Sequence, residues 1–394
     1  MAEHGALLES VSRDLRQCHT VDDASGIATC YQRFTLWQQF QGMLRVAVVV
    51  TFQFPFLLLF TAYNTFAETS AALINLVGRR QRHRLPPNPA PTLVIPGTCA
   101  YIFWQLGMTQ YICEKYDTSG ARIVCTSSGA SCAAMMLFLE RAGSTREAVR
   151  AHARDAYGLI EQTLAPIFRH PMAFWGRTAP VLKDLLQLLV PEVPTPEFRW
   201  MCTNAGLGED AFPAEGGRVV CGLRRISMRP VPNLVAEAKT AFESREDFVA
   251  AAVAASNVFG VVSPVPCRVH RGQFCSDGVN PFSLYCFVDY TVQWITGRFR
   301  TTAPPHIING DRRWPWNHVY SMWNVGIMDA LLPTERYAAE RLYWLTPTVG
   351  GHIQYQWALR FSGLFTYQQW TMGYRHAREL DVKGYFKGLA PLRF

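Results

Sequence analysis

Charge is what this 394-residue sequence has least of. Asp, Glu, Lys and Arg make up 17% of it, against roughly a quarter of an average soluble chain. Among the eleven cysteines there is no Cys-x-x-Cys pair, so neither a zinc finger nor a thioredoxin-type redox site is written here. Most cysteines sit in apolar runs, as Cys99, Cys113, Cys125, Cys221 and Cys286 do, and read as free buried thiols in a reducing compartment. The net charge is +8, yet there is no RNA-binding signature and no long Lys/Arg run. Nucleic acid is therefore not the expected partner, and an anionic lipid surface is. No secretory signal pattern follows Met1, and the chain carries no internal repeat or low-complexity tract.

Apolar residues are plentiful, at 49%. Residues 46–63, VAVVVTFQFPFLLLFTAY, form an uncharged run at the lower length limit for spanning a bilayer. Arg45 precedes it, and Arg79, Arg80, Arg82 and Arg84 follow. The positive-inside rule then puts the following chain on the cytoplasmic side. Pro55, in mid-run, allows a kinked re-entrant form, and a buried core helix is the competing reading. These features define an expected N-terminal region, 1–90, with a membrane segment at 46–63 and a basic flank at 79–84. The proline-rich stretch Leu85–Pro91 reads as a stiff linker closing that region.

From Thr92 the pattern becomes strand, glycine turn, helix. Thr92–Pro96 reads as a buried strand, Gly97–Ala100 as a turn and 103–115 as a helix. Ser144-x-x-Glu147 has the form of a capping box opening the helix at about 146–165, and further helical patterns cover 179–190 and 248–256. Arg218–Met228 alternates like a strand. Strands interleaved with helices predict an α/β domain over 91–299, with a mainly parallel central sheet covered on both faces. Residues 300–394 hold Trp314, Trp316, Trp323, Trp344, Trp357 and Trp370, a texture that suits packing on that domain or a membrane interface.

Two places carry candidate chemistry. In Ala121–Met136 a short apolar run, Ile123-Val124-Cys125, turns at Thr126-Ser127-Ser128-Gly129 into an Ala- and Met-rich helix. A serine on such a strand-to-helix turn has its hydroxyl pushed out by the bend, beside the free N–H groups of the helix start. The usual pattern is Gly-x-Ser-x-Gly, and Cys125 stands at the first glycine. The candidate base for Ser127 is Asp277, in Asp277-Gly278 after a short strand. Upstream of it lie a Ser244-capped helix and the Ser263-Pro-Val-Pro266 turn.

With these blocks in this order, the chain resembles the patatin-like phospholipases, most of all their adiponutrin and adipose-triglyceride-lipase branch. Pro96-Gly97-Thr98-Cys99-Ala100 resembles the family's oxyanion loop, Cys125–Ala130 its nucleophile elbow, and Asp277-Gly278 its Asp-Gly-Gly or Asp-Gly-Ala block. The resemblance covers about 92–290. It implies a patatin-like three-layer α/β fold and a lipid acyl hydrolase, of phospholipase or triacylglycerol lipase type, working through a Ser127–Asp277 dyad without histidine, metal or cofactor. It further implies an oxyanion hole from Gly97, Thr98 and Cys99 with Ser128, and turns at Gly129 and Gly278. Acyl lipids are then the substrate and a membrane or lipid-droplet surface the partner. The expected location is membrane-associated with the catalytic domain facing the cytoplasm, at the endoplasmic reticulum or a lipid droplet. Cys99, Cys125 and Val279 depart from family glycines, so an inactive lipid-binding relative is the alternative. An α/β-hydrolase with a Ser-Asp-His triad, drawing on His306, His318 or His352, is another.

Overall fold

The computed structural model describes residues 20–29, 36–78, 91–98, 101–143, 145–168, 178–190, 218–228, 233–240, 242–259, 262–278, 342–345 and 363–392, with a few single positions between 284 and 296. The chain is α/β, built on a seven-stranded mixed sheet in which most strands run the same way. Its strands are β1 (Thr92–Ile95), β2 (Arg122–Thr126), β3 (Val219–Ser227), β4 (Asn233–Lys239), β5 (Arg268–His270), β6 (Gln273–Ser276) and β7 (Leu342–Trp344). The spatial order is β7-β1-β2-β3-β6-β5, with β4 also paired to β3. The pairs β7–β1, β1–β2 and β2–β3 are parallel, and those of β3 with β4, β3 with β6 and β5 with β6 are antiparallel. Strands β1 and β2 are buried along their whole length, which is why they read as continuous apolar runs rather than alternating ones.

One feature of the register positions the candidate site. Thr126 of β2 pairs with Gly222, and Ser276 of β6 pairs with Arg224. Strand β4 pairs both Gly222 and Arg224 as well, so it fills the other edge of β3. Strands β2 and β6 therefore share one edge and run towards each other. Their C-terminal ends meet beside Leu223, and the next residues along the chain are Ser127 and Asp277.

Among the described residues seven helices accompany the sheet: α1 (Leu36–Gly78), α2 (Ile102–Lys115), α3 (Gly129–Glu140), α4 (Arg146–Phe168), α5 (Thr178–Leu189), α6 (Arg245–Ala255) and α7 (Gly363–Val382). Helix α6 starts as its sequence predicts, with Ser244 Oγ accepting from Asp247 N at 3.1 Å. Helix α4 is capped by Thr145, whose hydroxyl accepts from Ala148 N at 3.3 Å. That corrects the expected Ser144 box by one position; Ser144 itself lies outside the described residues. Helices α2 and α7 cross backbone to backbone. A Cβ on Gly107 would lie 1.9 Å from Trp370 O, and one on Gly373 would lie 1.9 Å from Trp104 O. The aromatic C-terminal stretch thus sends Trp370 and Trp344 into the core, both fully buried, and β7 into the main sheet. Trp314, Trp316, Trp323 and Trp357 lie outside the described residues, as does the basic flank 79–84.

The hydrophobic run 46–63 lies within the 43-residue helix α1. Among the described residues no helix is long and apolar enough to cross a membrane, and the expected membrane segment at 46–63 is left unsupported. The run is interrupted by Gln53 and Pro55, and beyond it α1 is held by protein. Asn64 and Ala67 are buried, Phe60 packs edge-on against Phe259 at 5.3 Å, and Glu68 pairs with Arg224. The earlier half is different. Trp37, Phe40, Leu44, Phe52 and Phe56 are half exposed or more.

Candidate active site

Ser127 follows directly on β2 with φ +50°, a left-handed conformation that a serine adopts only when its surroundings impose it. Helix α3 begins two residues later, at Gly129. Together these make the strained strand–turn–helix elbow that the sequence predicts. Two glycines allow it. A Cβ on Gly97 would stand 2.4 Å from Ser127 Cβ and 2.9 Å from its Oγ. A Cβ on Gly129 would stand 2.0 Å from Ile95 O, so only glycine lets the helix start this close to β1.

Across the meeting point of β2 and β6, Ser127 Oγ donates to Asp277 Oδ2 at 2.7 Å. The two residues are 150 apart in sequence and the sheet register brings them together. Asp277 is buried, at 2% exposure, and Ser127 keeps 8%. The Asp277 turn is anchored on both sides of Gly278. Gly278 N donates to Ala255 O at 3.3 Å, and Arg224 Nε donates to Gly278 O at 2.9 Å.

The loop facing the elbow is equally well tied. Gln105 of α2 accepts from Thr98 Oγ1 at 2.8 Å through its Oε1 and donates through Nε2 to Pro96 O at 2.8 Å and Leu345 O at 2.7 Å. One buried amide thus holds the 96–98 turn against β7. Sequence reading missed Gln105, because nothing local marks a glutamine in an apolar helix as a loop anchor. Gly97 and Thr98 are brought to Ser127 as predicted. Thr98 N, however, donates to Ser128 Oγ at 2.8 Å, so that backbone donor is already engaged by the neighbouring hydroxyl. Ser128 opens α3 without capping it by its side chain, so its hydroxyl serves the loop across the site instead. Cys99 and Val279 lie outside the described residues.

The described thiols and imidazoles have other environments. Cys125, fully buried, faces Cys221 on β3, and that contact together with burial pushes its thiol well above the ordinary range. Burial alone does the same to Cys132 on α3. The described histidines are occupied elsewhere: His152 contacts Ala148 O, His270 contacts Asp247, and His376 lies tilted against Trp104. His306, His318 and His352 lie outside the described residues. Among the described residues no group of three or more His, Cys, Asp or Glu could hold a metal ion.

No family model matches the chain, and no curated protein matches it either.

Proposed function

We propose that the chain is a lipid acyl hydrolase with Ser127 as nucleophile and Asp277 as general base, on a patatin-like three-layer fold. The observation that carries this reading is the 2.7 Å hydrogen bond from the left-handed Ser127 to Asp277 at the meeting ends of two strands. In the first half-reaction Ser127 Oγ bonds to the ester carbonyl carbon as its proton passes to Asp277 Oδ2, and the carbonyl pair moves onto oxygen. The tetrahedral oxyanion sits before Gly97 and the N-terminal end of α3, where backbone N–H groups and the helix dipole favour negative charge. Its collapse breaks the ester C–O bond. The leaving alcohol takes the proton from Asp277, and an acyl-serine remains. In the second half-reaction Asp277 takes a proton from water, the hydroxide attacks the acyl-serine, and Ser127 Oγ departs with that proton. A fatty acid is released.

The apolar half of α1 supports the choice of lipid. A contiguous set of half-exposed Trp, Phe and Leu side chains is the signature of a surface that meets another apolar phase. Thr51 fits this, because its hydroxyl is returned to Ala47 O at 2.7 Å rather than offered to solvent. The helix lies on an acyl-lipid surface, a membrane or lipid droplet, and brings the Ser127–Asp277 pair to its substrate. Arg79, Arg80, Arg82 and Arg84, which follow the apolar run in the sequence, support a surface on the cytoplasmic side. The second reading, a lipid-binding relative without turnover, is favoured by one observation, the occupation of Thr98 N by Ser128 Oγ.

Turnover of a panel of fluorescent phospholipid and acylglycerol esters decides between the two. The hydrolase reading expects release of fatty acid by the wild type and loss of it in Ser127→Ala and Asp277→Asn. Equal rates in all three proteins would remove it. Lipid binding by a well-folded wild type with no release from any ester would favour the second reading.

A further inference from the structure

Helix α1 does more than present apolar side chains, because one of its carboxylates reaches the turn that carries Asp277. Arg224 stands on β3 opposite Ser276, the residue before Asp277. Its guanidinium is forked. Nε donates to Gly278 O at 2.9 Å, and Nη1 binds Glu68 of α1. Both charged side chains are largely buried, at 11% and 12% exposure. At that depth an unpartnered charge is costly, so each ion holds the other in place. A planar guanidinium also fixes the direction of its two donors relative to each other, which a lysine ammonium does not. The chain of contacts is thus continuous, running from α1 through Glu68, Arg224 and Gly278 O to the backbone of Asp277. On the α1 side, Asn64 and Ala67 flank Glu68 in the buried seam, one helical turn from Phe60 on Phe259.

We propose that Glu68 and Arg224 are positioning residues for the Ser127–Asp277 pair: through the forked guanidinium, the lipid-facing helix sets where the catalytic aspartate stands. This rests on the reading of Ser127 and Asp277 as the reacting pair. Neither Glu68 nor Arg224 touches the ester. They act through Asp277, whose carboxylate must stay within hydrogen-bonding reach of Ser127 Oγ for the proton to move. A displacement of about 1 Å in such a pair lowers turnover by up to a hundredfold without changing how substrate binds.

Steady-state kinetics on the full chain, with a soluble short-chain acyl ester that needs no lipid surface, tests the proposal. Arg224→Lys keeps the charge and loses the fork, and Glu68→Gln loses the counter-ion. Each is expected to lower kcat by about ten- to a hundredfold with KM within about twofold of wild type. Glu68→Asp, which keeps the carboxylate, should recover part of the loss. The double variant should be no slower than Arg224→Lys alone, because the two residues act as one unit. A purely structural pair would lower the unfolding temperature and the amount of active enzyme, while the kcat of the folded fraction, counted by fluorophosphonate titration, stayed at the wild-type value. That result, or additive losses in the double variant, overturns the proposal. Wild type that hydrolyses no ester would strike the underlying reading instead. An Arg224→Lys protein that fails to fold leaves Glu68→Gln to decide, since its side chain changes by one group at nearly constant volume.

Discussion

Two of the buried polar clusters among the described residues, one around Glu114 and one around Ser127, are built on opposite principles. Around Glu114 of α2 every partner is complementary. Arg150 and Arg146 reach its carboxylate at 3.2 and 3.4 Å, Tyr374 donates at 2.7 Å and Gln110 at 2.7 Å. The backbone there is ordinary helix, and the cluster fastens α2 to α4 and α7. Around Ser127 the backbone is forced into the left-handed region, a glycine is required within van der Waals range, and a hydroxyl is set against a carboxylate. Strain and close approach without evident gain in packing mark a site retained for chemistry, whereas matched charge on regular backbone marks one retained for stability. The comparison predicts that the two clusters separate cleanly when perturbed, one losing rate and the other losing fold.

The largest effect is expected at Gly97. Gly97→Ala places a methyl group 2.4 Å from Ser127 Cβ, so either the loop or the serine must move. Hydrolysis should fall about a hundred- to a thousandfold, the cost of losing an oxyanion donor, while the unfolding temperature changes little. Wild-type rates in this variant would show that the Gly97 turn does not face the reacting atoms. Glu114→Gln should behave in the opposite way. It leaves Arg150 and Arg146 without their carboxylate and should cost about 2 kcal/mol in stability by denaturant titration, with kcat of the folded enzyme unchanged. A loss of kcat with intact stability would erase the distinction between the clusters.

The smallest effect concerns pH. Burial holds the His270 imidazole below its ordinary value, against the pull of the Asp247 carboxylate 2.9 Å away. The unfolded chain, with His at about 6.5, then binds the proton more readily than the folded one. Stability therefore rises with pH through the window below about 6.5 and is lost as pH falls through it. His270→Gln should flatten that part of a stability-against-pH curve, and an unchanged slope would count against the assignment.

The sequence displays the elbow because its signals are local. An apolar tripeptide, small residues at the turn and an Ala-rich helix all lie within twenty positions. The Ser244 cap is legible for the same reason, and its hydrogen bond is present. What the sequence hides is long-range. Nothing in Gln273–Ser276 says that this strand continues the edge of β3 that β2 leaves. Asn233–Lys239 carries no clear alternation, yet it occupies the opposite edge. Gly107 and Gly373 look like helix-weakening residues until the helices are seen to meet backbone to backbone. The run 46–63 reads as a bilayer span because hydropathy averages over all sides of a helix. It does not register that the same helix packs on protein further along, at Asn64 and Glu68. The cap at Thr145 in place of Ser144 is the ordinary one-residue uncertainty of a helix start.

The most direct measurement is the rate at which a fluorophosphonate probe labels Ser127, followed by peptide mapping in wild type and Asp277→Asn. The account predicts a single modified serine, Ser127, and a labelling rate that falls at least about a hundredfold when the carboxylate is neutralised, in line with a general-base contribution. Labelling of another serine, or equal rates in the two proteins, would contradict it.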